Sequence, residues 1–482
     1  MRFDTRLVWK AALAVTLACL PGPLLLGALD LPSARIEDDS ALRISLRDEW
    51  FLDTQDRVLA KKTLLHTLPG GGRIQVRTAQ SADEFAVILA RELTGPGGQG
   101  MGTFPGWAQG SWVYVRGRAD GSPLRILVYP RSDRSTYLQF KPLSGDRCQM
   151  DMVLYDAYII QSQAVALPFE RLLGMPLENI FTIVGEKFKR HYLDPDPANY
   201  RDLRRFMDNL RQKLPEISFR DDGAIDSEGT YVFIETLDAQ DGTGGLNCSG
   251  FVKWVVDGIL RPLTGRRLDI AALKQPFGER GSSYTDVWED IRDPFFGLDW
   301  TRNLAAQAWT SLRSPAYAVP EEFEVRDWPF SQLIYRTETT GTTETVPVPD
   351  HLMPSGTQPN PNAGPQPALR AYPGYLENSG FGVEGLQPLL YTLAIDEPGY
   401  IYLASVNTEL GPPATPDNPR GLPRMRQHFH IAVLIPYFDE YGGFQIAVFE
   451  SAEETRFSRF KARYPGYNVN LVRVPVEGPF TP

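Results

Sequence analysis

Cysteine is scarce in this chain: three in 482 residues, at positions 19, 148 and 248. Exported proteins that rely on disulfides carry more cysteines, evenly numbered, so a disulfide framework is not what stabilises this one. Histidine is nearly as rare, with five, which leaves few groups for proton transfer near neutral pH. Cations are in the minority too, 49 Lys and Arg against 59 Asp and Glu, for a formal charge of −10. Without a cationic excess to neutralise phosphates, a general nucleic-acid binder is disfavoured. No internal repeat is visible, and beyond residue 29 no apolar run is long enough to span a bilayer.

What remains is ordinary for globular domains: 42% hydrophobic and 22% charged residues, in a chain long enough for two or three cores. The 42 Gly and 40 Pro predict many turns and much sheet and loop. Arg2, Arg6 and Lys10 precede an apolar stretch from Ala11 to Leu29, broken by Pro21 and Gly22. The pattern is that of an export signal at residues 1–29, and three readings stay open: cleavage near Ala28, an uncleaved anchor, or lipid attachment at Cys19. Each places the protein in the periplasm or cell envelope, with membrane contact only through that anchor.

Residues 31–165 alternate short β-branched and aromatic runs with turn formers, as in "SWVYVRG", "RADGS" and "PLRILVYP", and predict a β-rich module. "MDMVLYDAYIIQ" extends the same strand pattern. Residues 166–224 switch to helical spacing and read as a connector. Within it, "DPDPANYRD" lacks the glycine and closing Glu of a calcium loop and reads as a turn. Residues 225–482 form the last unit, interrupted by a Pro/Thr/Gly-rich stretch at 337–374 that predicts an exposed linker.

The stretch "DGTGGLNCSGFVKWVVDGIL", Asp241 to Leu260, sets Cys248 between a glycine-rich loop and an apolar run. Phe251, Val252, Val255, Val256, Ile259 and Leu260 recur on one helical face, and Asn247 suits the N-cap. Cys248 thus falls in the first turn of a buried helix. There the unpaired N–H groups and the helix dipole lower a thiol's pKa and can hold an oxyanion. Ser249 and Gly250 are small and leave room for a substrate. A buried thiol with no chemistry is the competing reading, and only a partner base separates the two.

His66 precedes "PGGG", His191 ends a basic helix, and His351 lies in the linker; all three read as solvated. "QHFHIAVLIPYF" reads as a strand with Phe429, Ile431, Val433 and Ile435 on one face, and His428 and His430 on the other. His430 at the strand's mouth is positioned to take a proton from a thiol. No third ligand with metal spacing accompanies the two histidines. Glu450 ends the next strand, "GGFQIAVFESA", and is a candidate to orient the imidazole, with Gln445 as the alternative.

These pieces resemble the NlpC-type cysteine peptidases of bacterial cell walls, a branch of the papain-like fold. The likeness rests on "NCSGFVKWV" at a helix start, "EPGYIYLASV", "HIAVLI" opening on a histidine, and "VFESA", in that order. Asn247 stands where the family usually has Asp, and Tyr231 in "GTYVFIE" falls near its tyrosine position. About 180 residues separate Cys248 from His430, far more than the family usually has, so residues 265–390 are expected to loop out as an insertion over the cleft.

The resemblance implies an α+β fold: a papain-like C-terminal domain, helix against antiparallel sheet, after the β-rich N-terminal domain. It implies Cys248 as nucleophile, His430 as base and Glu450 as orienter, with Ser249, Gly250, Tyr231 and His428 around substrate or oxyanion. It implies no metal or organic cofactor, and amide bonds of peptidoglycan stem peptides as substrate. The alternative is a cell-envelope binding or scaffold protein that keeps the fold without turnover. Oligomeric state is not legible.

Overall fold

In the computed structural model the described residues are 36–482, apart from 96–97, 279–292, 328, 331, 338–367, 372–373, 412–414, 418 and 420–423. The apolar N-terminal stretch, Cys19, His351 and most of the Pro/Thr/Gly-rich linker lie outside them. Among the described residues no helix is long and apolar enough to cross a membrane.

The chain is mixed α and β, built on two large antiparallel sheets. The first begins as a meander: β1 (Leu64–Thr67), β2 (Arg73–Gln80), β3 (Glu84–Arg91), β4 (Trp112–Gly117), β5 (Pro123–Val128), β6 (Tyr137–Pro142), β7 (Cys148–Leu154) and β8 (Ala157–Val165). In β3, Phe85, Val87 and Leu89 enter the main core, whereas Ala86, Ile88 and Ala90 enter a smaller one on the opposite face. Burial on both faces explains why β3 is apolar throughout instead of alternating. "MDMVLYDAYIIQ" is not one strand: Tyr155 and Asp156, with φ of 49° and 64°, make the two-residue turn between β7 and β8. His66 sits in β1 and not in a loop.

The connector is only partly helical. Gly174, Pro176 and Gly185 break its first half into short turns around α1 (Leu177–Val184), and its second half forms α2 (Arg201–Lys213). A short hairpin follows, β9 (Gly223–Ile225) and β10 (Tyr231–Phe233), and then α3 (Cys248–Thr264). Residues Ser249 to Leu260 of α3 are all buried. Its two charged residues there, Lys253 and Asp257, satisfy each other at 2.6 Å one turn apart.

The described parts of the segment expected to loop out are largely core. α4 (Phe296–Leu312) packs against α3 and the second sheet, with Trp300 fully buried. β11 (Gln332–Thr337) pairs antiparallel with β8, and β12 (Ala368–Ala371) with β11, so the first sheet reaches ten strands using residues from the far side of α3. The ends of the Pro/Thr/Gly-rich stretch are therefore sheet. β13 (Phe381–Gly382) and α5 (Leu386–Asp396) then enter the core of the C-terminal half. The apolar runs "FFGLDWTRNLAAQAW" and "GVEGLQPLLY" are too hydrophobic to remain on a surface.

The second sheet adds β14 (Tyr400–Leu410), β15 (Met425–Phe438), β16 (Phe444–Glu450), β17 (Glu453–Arg456) and β18 (Asn468–Pro475), in the order β13-β18-β14-β15-β16-β17. A short helix, α6 (Phe457–Arg463), follows β17. The two halves are tied by buried polar contacts: the Arg131 guanidinium donates to the Gly442 carbonyl at 2.7 Å, and the Tyr200 hydroxyl to the Ala394 carbonyl at 2.7 Å.

Candidate active site

Asn247 is extended (φ −87°, ψ −171°), and its side-chain oxygen accepts from the Gly250 N–H at 2.8 Å. This cap starts α3 at Cys248. The N–H groups of Cys248 and Ser249 have no acceptor among the described residues, which leaves them for an anion beside the thiol. Gly250 does not make room for a substrate, because a Cβ there would collide with the Gly223 carbonyl oxygen. Its glycine lets β9 close against α3, and its N–H is committed to the cap. Ser249 is also buried; its carbonyl accepts from the Trp300 indole N–H at 3.0 Å. Of the two small residues, only the Ser249 N–H faces no competitor for a ligand. Tyr231 packs its ring on Gly244, where any Cβ would collide with it. It shapes the loop leading into Cys248, and no hydrogen bond joins it to the thiol.

β15 and β16 pair only from Val433 onward, so His430 and Ile431 lie just past the paired stretch. There the Cys248 thiol lies beside them, near enough for the His430 ring and the Ile431 N–H to stabilise its anion, with Ser249 Oγ at 3.9 Å. The ring's Nε2 is 2.8 Å from Glu450 Oε2. Glu450 is held in turn: Arg463 Nη1 donates to its Oε1 at 2.7 Å, and the Thr455 hydroxyl nearby also favours its ionised form. The turn after Glu450 consists of Ser451 and Ala452 at φ of 49° and 68°, a left-handed pair without glycine. It closes the β16–β17 hairpin with Glu450 opposite Glu453. Gln445, the other candidate orienter, lies elsewhere, lining a surface cavity of about 440 Å³ with Gln387, Phe444 and Phe457.

The electrostatics agree on one ionisation state. Burial alone would raise the Cys248 thiol, but the bond to His430 and its charge, with the Ile431 N–H, bring it below its ordinary value. Burial pulls His430 down; its bonds to Cys248 and Glu450 outweigh that and raise it to about 9. Glu450 would rise on burial, yet His430 and Arg463 keep it below the usual carboxylate range. Thiolate, imidazolium and carboxylate are thus favoured together, as a coupled set. Cys148 is the contrast: a free thiol inside β7, pushed up to about 11 by burial and without a base.

His428 does not join the site. The β14–β15 register shifts between Val406 and Asn407, which pair with His430 and His428, leaving Phe429 as an extra residue. This bulge breaks the alternation that placed both histidines on one row. His428 turns instead into a buried network, with Nδ1 2.9 Å from Ser405 Oγ and Nε2 3.0 Å from the Asn378 carbonyl. The carbonyl can only accept, so Nε2 carries the proton and Nδ1 accepts from the serine. Burial drives its pKa down to about 3 and keeps it neutral. His191 is half-exposed, 3.3 Å from Asp396. Among the described residues no group of three or more His, Cys, Asp or Glu is placed to hold a metal ion.

Arg463, Thr455 and Trp300 are neighbours of the candidate site that the sequence did not disclose. Arg463 ends a basic helix, where a cation already has a reason to be. Thr455 and Trp300 carry no motif.

Residues 32–192 match a domain of unknown function, DUF8515. The match takes in β1 to β8 and the first half of the connector, and stops well before Cys248. Neither a curated protein nor a solved structure shows significant similarity to the chain.

Proposed function

We propose that the chain is a cysteine hydrolase of amide bonds, related to the NlpC-type peptidases and exported to the cell envelope, where peptidoglycan stem peptides are its substrate class. One observation carries the reading: a thiol at a capped helix start, beside an imidazole whose Nε2 meets a buried carboxylate at 2.8 Å. Nucleophile, base and orienter come from three different elements, the first of them far in sequence from the other two, an arrangement a structural cysteine does not require. The compartment and substrate class rest on the N-terminal pattern and the family resemblance.

In the reaction His430 holds the proton of Cys248, and the thiolate sulfur adds to the carbonyl carbon. The oxyanion that forms is met by the N–H groups of Cys248 and Ser249. His430 then gives its proton to the leaving amine, the C–N bond breaks, and a thioester remains on Cys248. Water, deprotonated by His430, adds to the thioester and releases the acid, and the proton returns to the thiol. Glu450 stays ionised throughout and fixes the ring's orientation.

The test is alkylation of Cys248 by iodoacetamide against pH, resolved from Cys148 by peptide mapping, in the wild type and in His430→Ala. Purified peptidoglycan fragments are assayed alongside for newly released amine. Fast alkylation well below the ordinary thiol value of about 8.5, lost in His430→Ala, with amine release lost in Cys248→Ala, supports the hydrolase. Slow alkylation, equal in both proteins and without amine release, sinks it in favour of a non-catalytic envelope binding protein.

A further inference from the structure

Glu450 is only 4% exposed and shares its two oxygens between two cations. Oε2 takes the His430 Nε2 and Oε1 takes Arg463 Nη1, at 2.8 and 2.7 Å. Arg463 lies at the end of α6, with 39% of its side chain exposed. Its guanidinium is thus at the rim while the carboxylate it touches is inside. Cys248, His430, Glu450 and Arg463 follow one another in a run in which the favoured charges alternate: negative, positive, negative, positive. The first three alone would leave one net negative charge in a buried pocket. A buried net negative charge favours the protonated form of whichever group can take a proton.

We infer that Arg463 is a positioning residue which, by neutralising and orienting Glu450, allows the Cys248 thiolate and the His430 imidazolium to exist together. Arg463 acts only through Glu450, so it is not a catalytic residue. The inference rests on the Cys–His–Glu reading above. Without the guanidinium, Glu450 still favours the imidazolium, but its uncompensated charge opposes the thiolate. Cys248 then keeps its proton to higher pH. The titratable groups facing this run are Cys248 from α3, His430 and Glu450 from the sheet, and Arg463 and Tyr464 from the end of α6. Tyr464 lies near both Glu450 and Cys248, but its pKa, pushed up to about 12, keeps it neutral over the working range.

The experiment uses the same Cys248 alkylation profile in the full chain, with three substitutions. Arg463→Gln keeps an N–H donor for Glu450 and removes the charge; Arg463→Lys keeps the charge; His430→Ala is the reference for the reading beneath. The alkylation midpoint in Arg463→Gln should move up by as much as about one pH unit, less than the 1–3 units of a charge in direct contact. Arg463→Lys should stay within about 0.3 of the wild type, since a cation within reach of the same oxygen restores most of the field. A role confined to holding the fold would lower the unfolding midpoint of the variants and leave the alkylation midpoint where it was. If Arg463→Gln and the wild type share one midpoint while His430→Ala does not, the Arg463 proposal falls and the hydrolase reading stands. If His430→Ala also leaves the midpoint unmoved, both fall.

Discussion

His428 should make folding stability fall in acid through a single proton. Its ring is closed on both nitrogens by Ser405 and the Asn378 carbonyl. Burial, with Arg302 and Arg426 nearby and Glu324 acting against them, lowers its pKa from 6.5 to about 3. The unfolded chain therefore binds this proton at a higher pH than the folded one. Between those two values folding stability falls as pH falls, and the loss is complete only below the folded value. One proton amounts to about 1.4 kcal/mol per pH unit, so acidification from about pH 6 to about pH 4.5 costs on the order of 2 kcal/mol through this residue. The comparison is His428→Gln, which retains an N–H donor for the Asn378 carbonyl and cannot titrate. At neutral pH it should be less stable by about 1–2 kcal/mol, having lost the Ser405 contact. That deficit should close as pH falls, because every other titrating group is common to both proteins. Urea unfolding followed by tryptophan fluorescence at several pH values gives the difference curve. Parallel curves for the two proteins would refute the reasoning.

Three further outcomes follow from the site and its supports. Amide hydrolysis should decline as pH rises through about 9, where the raised His430 loses the proton it gives to the leaving amine, and Glu450→Gln should bring that limb to lower pH; a limb unmoved by Glu450→Gln would contradict the orienter role. Ala452→Gly relieves a left-handed alanine at φ of 68° and should raise stability by about 0.5–1 kcal/mol, read as an increased urea midpoint. Gly250→Ala would ordinarily favour a helix, yet here it drives a methyl into the Gly223 carbonyl; a loss above about 2 kcal/mol is expected in the same unfolding assay, together with slower Cys248 alkylation as the helix start shifts.

Legibility followed the range of the interaction concerned. The α3 start could be read from Asn247, the glycines before it and the apolar spacing after it, because capping and periodicity are set within one or two turns. Glu450 could be reached because it ends a strand one hairpin after His430, and hairpins pair neighbours. The error over His428 has the same root: strand alternation is local and cannot foresee the extra residue Phe429, which a neighbouring strand accommodates. The segment between Cys248 and His430 was expected to loop out because length alone does not show how a stretch such as α4 is packed.

By itself the sequence determined that α3 starts at a cysteine, that β15 carries the histidines, and that few other groups were available for chemistry. Those facts follow from composition and from periods of two and 3.6 residues, which the chain carries without reference to its fold. Only the tertiary structure decided that His428 turns away into a buried network, that Gly250 serves packing, that Arg463 closes on Glu450, and that β11 and β12 complete the first sheet. Each of these depends on which distant backbone approaches, and with what register, and no local pattern contains that information.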